Sequence, residues 1–272
     1  MVPSFRVTHL KGESILGSQY SLPIGMRYST LKERAEFYQK EFAVAKLDEW
    51  FGNWSLKGKV KFAVIIGRHT HIFPEEFEED SSTSVIIDEY KNLMDLKAQI
   101  LEFLPESAYY DRNVYDNEQR VIAQELAFDL DPENLTCPIH GTLADKMKRR
   151  QGLAFCELEL NMVKEETVKL YEELAKQFSK MRIVYSGRGF HIHVFDAEPF
   201  AWKRRQRKAL AVELVKKGFL IDEWVTTGGM RLIRLPYSLH GMVSRVVTPL
   251  EVQELDGFNP LSDRRCLPRF LR

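Results

Sequence analysis

The segment at residues 185–196, YSGRGFHIHVFD, constrains the fold more than any other stretch of this chain. Its HIHVF portion alternates polar and apolar residues, the period of a half-buried β-strand, so we expect His191 and His193 on one face. Gly187 and Gly189 bracket an arginine, and glycine permits the positive φ of a tight turn and a close approach of ligand to backbone. The pattern therefore predicts a strand, a tight turn and a second strand with a polar face. An ordinary β-turn beside buried, hydrogen-bonded histidines is the plain alternative.

Other apolar patterns alternate between strand and helix along the chain. Strands are predicted at residues 60–67, 120–131, 182–196 and 230–241. Helices are predicted at residues 29–51, 89–104, 164–180 and 203–218, the first with Ser29 as its cap and the last ending at Gly218. Strands that alternate with helices indicate an α/β or α+β domain with a mixed β-sheet flanked by helices. Because neither a repeat nor a low-complexity linker divides the chain, we expect one domain over residues 1–272.

Composition limits the classes of function. The chain has 39 basic and 39 acidic residues, so a global positive field cannot drive nucleic-acid binding, and any basic surface must be local, as in WKRRQRK at residues 202–208. Three cysteines in 272 residues are typical of a reducing compartment. The chain has no apolar run of the roughly 20 residues that span a bilayer, and its N-terminus lacks the apolar core of a signal peptide. These features predict a cytoplasmic protein with no membrane partner.

Two acids end the predicted strand at residues 120–131. Asp129 and Asp131 are two residues apart, so on a strand both carboxylates point to one face. Two like charges this close need a positive partner, and hard oxygen ligands suit Mg²⁺ or Mn²⁺. Asp222 follows an apolar FLI triplet and is expected to emerge from the sheet core as a third acid. Two solvated aspartates at a strand end remain the alternative.

Basic side chains follow in the segment at residues 230–241. Arg234 lies between apolar neighbours, and Ser238 and His240 have the parity that places both on one side of an extended chain. Arginine offers a planar fork and histidine a compact donor, both suited to phosphate oxygens. Acids for metals and bases for a triphosphate together indicate a nucleotide site.

These residues resemble a known family. ELAFDLD, YSGRGFHIHVFD and IDEWVTTGGMRLIRLPYSLHG are similar, in order, to the three motifs of the archaeo-eukaryotic primase superfamily, and most of all to the archaeal DNA primase small (catalytic) subunit. FNPLSDRRCLPRFL and RAEFYQKEF also resemble that subunit, so the similarity extends over most of the chain. The resemblance implies the primase fold and primer synthesis on a single-stranded DNA template, from ribonucleoside or deoxyribonucleoside triphosphates.

The resemblance also implies roles for individual residues. Asp129, Asp131 and Asp222 would be catalytic and would hold two divalent metals, Mg²⁺ or Mn²⁺. The implied nucleotide-binding residues are Ser186, Gly187, Arg188, His191, Arg234 and His240. The family pattern gives His193 no role, and we expect it to make a structural hydrogen bond. The implied partner is a primase large subunit that carries an iron-sulfur cluster.

Archaeal small subunits often carry a zinc knuckle after the acidic motif. Here CPIH and CELE offer Cys137, His140, Cys156 and Glu159, which predicts a small insertion around residues 135–160. A structural Zn²⁺ and a degenerate, empty site are both open, since this is an uncommon structural ligand set. Cys266 is expected to be an ordinary thiol.

Three other functions are open. A plasmid or viral primase-polymerase, or a repair polymerase, would share the acids and prefer deoxynucleotides. A metal-dependent phosphodiesterase or nuclease would use Asp129, Asp131, His191 and His193 as mixed ligands. A non-catalytic nucleic-acid-binding module would use the basic helix face at residues 202–208.

Overall fold

The computed structural model describes residues 22–54 and 58–272. The N-terminal residues that bear on a signal peptide lie outside these ranges, and within them no helix is long and apolar enough to cross a membrane. The helices are α1 (Leu31–Lys40), α2 (Val44–Gly52), α3 (Leu93–Phe103), α4 (Leu143–Lys148), α5 (Glu157–Leu174), α6 (Ala197–Phe200), α7 (Arg204–Lys216) and α8 (Glu223–Thr226).

The strands form two four-stranded sheets and two small two-stranded ones. They are β1 (Phe62–Ile65), β2 (Ser84–Ile87), β3 (Ser107–Asp111), β4 (Asn113–Tyr115), β5 (Val121–Gln124), β6 (Leu126–Leu130), β7 (Met181–Tyr185), β8 (Phe190–Val194), β9 (Leu232–Arg234), β10 (Leu239–His240), β11 (Arg245–Val246) and β12 (Thr248–Leu250). The first sheet has the order β2-β1-β3-β9 and the second sheet β12-β7-β8-β6. β4 pairs with β5, and β10 with β11.

The predicted α+β class is confirmed, with helices packed on sheets. The ladders between these strands are antiparallel, so the sheets differ from the mixed sheet expected. The hairpin predicted from residues 185–196 is present as β7 and β8. A short turn can join only antiparallel neighbours, which is why this hairpin sets the direction of the second sheet.

The second sheet separates two hydrophobic cores. Ile183 and Ile192 face an outer core covered by α5 and α7, whereas Val184 and Ala127 face an inner core shared with α1, α2, α3 and the first sheet. The alternation along β8 turns Ile192 outward and His191 toward the inner side. The polar face of the predicted strand therefore points at the space between the two sheets.

The helix predicted at residues 29–51 is two helices. Thr30, not Ser29, caps α1: its side chain accepts the backbone N–H of Glu33, and Glu33 completes a capping box. The chain leaves the helix after Glu41, and Ala43 is extended. This break buries Phe42 in the inner core and starts α2 in a new direction.

The strand predicted at residues 120–131 is also divided. β5 pairs with β4, and β6 joins the second sheet. Glu125 lies between them, fully buried, and its carboxylate accepts a hydrogen bond from the Tyr110 hydroxyl (2.7 Å) and lies 3.1 Å from His193 Nδ1. The chain changes sheets where this buried acid meets its partners.

Other helix boundaries follow local chemistry. α5 begins at Glu157, earlier than predicted, because the Glu159 carboxylate accepts the Cys156 N–H at 2.8 Å. Gly218 has φ +93° after α7 and confirms the predicted stop.

Candidate active site

A cavity of about 310 Å³ opens between the two sheets. Every predicted catalytic and nucleotide-binding residue except Gly187 lines it: Asp129, Asp131, Ser186, Arg188, His191, Asp222, Arg234 and His240. The structure therefore brings together residues that are up to 111 positions apart in the chain.

Asp129 and Asp131 stand at the end of β6 that faces the cavity. Asp129 pairs with His191 in the strand register, and His191 Nε2 lies 3.4 Å from Asp129 Oδ1 without hydrogen-bond geometry. The turn before β8 passes so close that a side chain at Gly189 would overlap Asp131 and the Leu130 carbonyl. Gly189 is thus required for the approach of the turn to the acids.

Asp222 reaches the same cavity by a different route from the one expected. It does not extend from a sheet strand. It caps α8, where Oδ1 accepts the N–H groups of Trp224 (2.7 Å) and Val225 (3.3 Å). Its own N–H donates to the Asp129 carbonyl at 3.0 Å. Three acids from two elements are therefore tied together through the backbone.

Among the residues that the structure describes, neither Asp129 nor Asp131 has a lysine or arginine in direct contact, although Arg234 lies near both and Arg188 near Asp131. Burial, followed by repulsion from Asp131 and Asp222, holds the pKa of Asp129 well above its ordinary value. Burial and the nearby Glu133 raise the pKa of Asp131 to about 6. Asp129 Oδ1 is buried and accepts no hydrogen bond. A buried carboxylate oxygen with no donor, beside a second strained acid, is what a divalent cation would satisfy.

Nitrogen donors also line the cavity, from Arg234 and His240 and from His191 beside Asp129. The Arg234 guanidinium stacks on Tyr109, 4.8 Å from the ring centre, and Arg234 Nη1 is buried without a hydrogen-bond partner, as are His191 Nδ1 and His240 Nδ1. Burial, assisted by His193 for His191 and by Arg234 for His240, lowers the pKa of each imidazole well below its ordinary value. These histidines are therefore neutral donors or acceptors at pH 7.

The Arg188 side chain, which lines the cavity, already has partners within the protein. Its Nη2 pairs with Glu133 and donates to the Leu153 carbonyl at 2.8 Å. Gly187, with φ +108°, forms the turn before it, and a side chain there would overlap the His240 ring. The glycine pair thus serves internal packing of the turn against Asp131 and His240. No sequence pattern predicted the pairing of Arg188 with Glu133.

Two predicted neighbours lie outside the cavity. His193 is fully buried among Glu125, Tyr110 and Trp50, which supports the structural role expected for it. The nuclease alternative loses one of its ligands as a result. Ser238 donates to the Leu235 carbonyl at 2.7 Å and is buried, because the chain bends at Tyr237 (φ +64°) and does not stay extended.

The cavity also contains residues that sequence reasoning missed. Arg68, His69 and Tyr109 line it from the first sheet. Arg68 and His69 lie shortly after the buried β1, and a basic pair that follows an apolar run was the available signal.

Cys137, His140, Cys156 and Glu159 form a second cluster, in the segment where the zinc site was predicted. Cys137 Sγ lies 3.4 Å from His140 Nδ1 and 3.9 Å from Cys156 Sγ, and His140 Nδ1 lies 3.9 Å from Glu159 Oε2. These separations suit ligand atoms at about 2.0–2.3 Å from a tetrahedral zinc. Glu159 already has a partner, because Lys146 Nζ lies 2.7 Å from its Oε1 and both side chains are buried. Cys266 lies apart from this cluster, buried, and donates to the Thr248 hydroxyl.

Comparison with known proteins identifies the relatives of the chain. It is 48% identical over 271 residues to an uncharacterized DNA primase small subunit-like protein of Archaeoglobus fulgidus, covering 93% of this chain and 94% of the relative. The chain belongs to the DNA primase small subunit family. It is also 29% identical to the DNA primase small subunit PriS of Pyrobaculum calidifontis (61% and 67% covered) and 26% identical to PriS of Archaeoglobus fulgidus (64% and 70%).

The same primase fold appears in a solved structure. The polymerase domain of Mycobacterium tuberculosis Ligase D, in complex with DNA, matches with a TM-score of 0.55 and 14% identity, covering 93% of each chain. No protein-family model matches the chain. The predicted membership of the primase superfamily and the predicted fold are both confirmed.

Proposed function

We propose that this primase family member is a nucleotidyltransferase that synthesises short primers on a single-stranded DNA template. The observation that carries the proposal is the cavity between the sheets, where three acids, one with a carboxylate oxygen that accepts no hydrogen bond, meet unpartnered guanidinium and imidazole nitrogens. A triphosphate bound with divalent cations satisfies both sets at once. Membership of the DNA primase small subunit family supports the same reaction.

The cavity residues would have different roles in the proposed reaction. Asp129, Asp131 and Asp222 would hold two Mg²⁺ or Mn²⁺ ions, which when bound neutralise phosphate charge and activate the attacking hydroxyl. Arg234 donates to the triphosphate oxygens, and its stacking on Tyr109 fixes the plane of the guanidinium. His191 and His240, neutral because they are buried, each donate one N–H to phosphate without adding charge.

Ser186 and the hairpin turn would hold the nucleotide against the acids. The Ser186 hydroxyl accepts the Gly189 N–H at 3.1 Å, which keeps the turn closed. Arg188 contributes from the same turn, with Glu133 orienting its guanidinium. This arrangement lowers the entropy cost of in-line attack by fixing the triphosphate before reaction.

The Cys137, His140, Cys156 and Glu159 cluster supports a further part of the proposal. The four residues would hold a structural Zn²⁺ with the Lys146 ammonium behind the carboxylate, and residues 135–160 would be an insertion in a single catalytic domain over residues 1–272. We further propose an iron-sulfur primase large subunit as partner and action at the nucleoid.

Unprimed synthesis on single-stranded DNA tests the function. Labelled ribonucleotides or deoxynucleotides are supplied with Mg²⁺ or Mn²⁺, alone and with a large subunit, and the Asp129→Ala, Asp131→Ala double variant is the control. New oligomers from the unchanged protein alone support the proposal. Absence of product under all these conditions, with or without an added primer, refutes it.

A stand-alone primase-polymerase or repair polymerase is the second candidate. One observation favours it: the chain is 48% identical to the small subunit-like protein of Archaeoglobus fulgidus and only 26% identical to PriS of the same organism. The chain therefore resembles a protein that occurs in the same organism as a DNA primase small subunit, PriS. Preference for deoxynucleotides and activity without a large subunit would favour this candidate over the first.

A further inference from the structure

A buried ion system fixes the loop after β1, at residues 66–72, against the cavity. Glu106, fully buried before β3, accepts the backbone N–H groups of His69 (2.9 Å) and Thr70 (2.8 Å) on one carboxylate oxygen. Its other oxygen lies 2.6 Å from His69 Nδ1. The loop cannot shift without breaking contacts to a buried charge.

A second buried charge holds the same loop from behind. Arg34, also fully buried, donates from Nη1 to the carbonyls of Ile66 (3.1 Å), Ile72 (2.8 Å) and Leu104 (3.2 Å), and from Nη2 to the Thr70 hydroxyl (3.0 Å). Burial of a charge is costly, and each buried charge needs hydrogen-bond partners of its own. Two such charges converge here on one short loop, which points to a need for precise placement.

The residue that this system places is His69. Nδ1 is occupied by Glu106, so Nε2, on the far side of the ring, is the nitrogen left for the cavity that His69 lines. Its side chain is 34% exposed, so a ligand can reach it. Glu106 also fixes the neighbouring wall, since its carbonyl accepts the Gly241 N–H at 2.7 Å, next to His240.

Charge at Glu106 favours this role. Burial alone would raise the pKa of Glu106, but hydrogen bonds from the His69 side chain and from the Thr70 and His69 backbone lower it to about 2. The ionised carboxylate accepts the Nδ1–H and stabilises positive charge on the ring, and a ring with a proton on both nitrogens presents Nε2–H to the cavity as a donor to anionic oxygen.

We propose that His69 is a binding residue for the phosphates of the incoming nucleoside triphosphate, held in place by Glu106 as a positioning residue. The inference rests on the proposed function. His69 faces the cavity from the first sheet, whereas Asp129 and Asp131 lie on the second, so a triphosphate that spans the cavity meets metals on one side and Nε2 on the other. Neither Glu106 nor His69 belongs to the three primase motifs.

Two amide substitutions at His69 distinguish its contact with phosphate from its contact with Glu106. In His69→Asn the amide nitrogen takes the place of Nδ1, so the contact to Glu106 is kept and the group that faces the cavity is lost. In His69→Gln the amide lies near the position of Nε2, so a donor to phosphate is partly restored. His71→Gln, in the same loop, is the matched control, because His71 is exposed and does not line the cavity.

The experiment measures dissociation constants for ATP and for AMP with Mg²⁺ and a single-stranded oligodeoxynucleotide. We expect His69→Asn to weaken ATP binding about 10- to 100-fold, as for loss of one charge-assisted hydrogen bond, and to change AMP binding by less than about 2-fold. His69→Gln should fall between His69→Asn and the unchanged protein, and His71→Gln should match the unchanged protein. Glu106→Gln should weaken ATP binding less than His69→Asn.

Three results would overturn the inference. They are unchanged ATP affinity in His69→Asn, equal losses for ATP and AMP, and loss of oligodeoxynucleotide binding in place of ATP binding, which would assign His69 to the nucleic acid. If the unchanged protein binds neither nucleotide, the proposed function fails and this inference fails with it. If it binds ATP and His69→Asn binds ATP equally well, only the inference fails. Melting temperatures show whether each variant is folded. If Glu106→Gln does not fold, His69→Gln carries the test.

Discussion

The cavity acids and the cysteine cluster are both candidate metal sites, and they differ in how their charge is balanced. Asp129 and Asp131 are partly buried without a compensating cation in contact, and repulsion adds to the cost of burial. Glu159 is fully buried with Lys146 at 2.7 Å. A counter-charge therefore contacts the carboxylate at one site, whereas at the other Arg188 and Arg234 act on Asp131 only from a distance.

This difference in charge balance distinguishes a site that would bind a charged ligand from a site that is stable without one. A site that is uncompensated in the protein gains most from a divalent cation and from a substrate that brings one, whereas a compensated site is stable before any metal arrives. The cavity is thus built to bind something charged. The cysteine cluster has its buried carboxylate balanced by Lys146 whether or not zinc binds.

The largest expected effect comes from removing a cavity acid. Asp131→Asn should reduce nucleotide incorporation at least about 1,000-fold, because a metal ligand is lost at the reacting phosphate. In a chelator it should raise the melting temperature, because a strained carboxylate is removed. Incorporation assays and thermal unfolding check both halves, and a lowered melting temperature would show that the acids are compensated after all.

The cysteine cluster should respond in the opposite way. Lys146→Met leaves Glu159 buried and unpaired, which should lower the free energy of unfolding by about 3 kcal/mol without metal. Zinc should restore part of that loss by taking the place of the ammonium. Chemical denaturation with and without zinc measures both values, with Lys148→Met as the exposed control. An unchanged free energy of unfolding in Lys146→Met would contradict the view that Lys146 balances the charge of Glu159, and the two sites would then not differ in charge balance.

Arg234 tests the positive wall of the cavity. Arg234→Ala should raise the nucleotide KM about 10- to 100-fold with a smaller change in kcat, because the stacked guanidinium binds the triphosphate in both ground and transition states. Steady-state kinetics decide the point. An unchanged KM with weaker template binding would move Arg234 to the nucleic-acid surface.

A smaller effect is expected on the pH dependence of stability. The pKa of Asp131 is raised from 3.8 to about 6, so between these values the folded state holds a proton that the unfolded state has released. The free energy of unfolding in a chelator should therefore fall as pH rises from about 4 through 6, and Asp129 extends the fall upward. Asp131→Asn should flatten the curve. Denaturation at several pH values measures it, and an equally steep curve in the variant would contradict the assignment.

Local patterns were enough to predict much of the molecule. The period-2 alternation and the glycine turn predicted the β7–β8 hairpin, and the spacing of Asp129 and Asp131 predicted two carboxylates on one face. The three motifs predicted the family. Each of these predictions depends on residues close in sequence, where backbone geometry alone decides which side chains share a face.

The tertiary structure decided what each group contacts. The sequence could not show that one predicted strand is divided at Glu125. It also could not show the ion pair between Glu133 and Arg188, or the one between Lys146 and Glu159. Nor could it place His69 in the cavity, since Glu106 is 37 residues away. The sequence alone determined the β7–β8 hairpin, the acids and the family, because these depend on local period and motif. Burial and charge compensation needed the fold, because they depend on which distant side chains share a region of low dielectric.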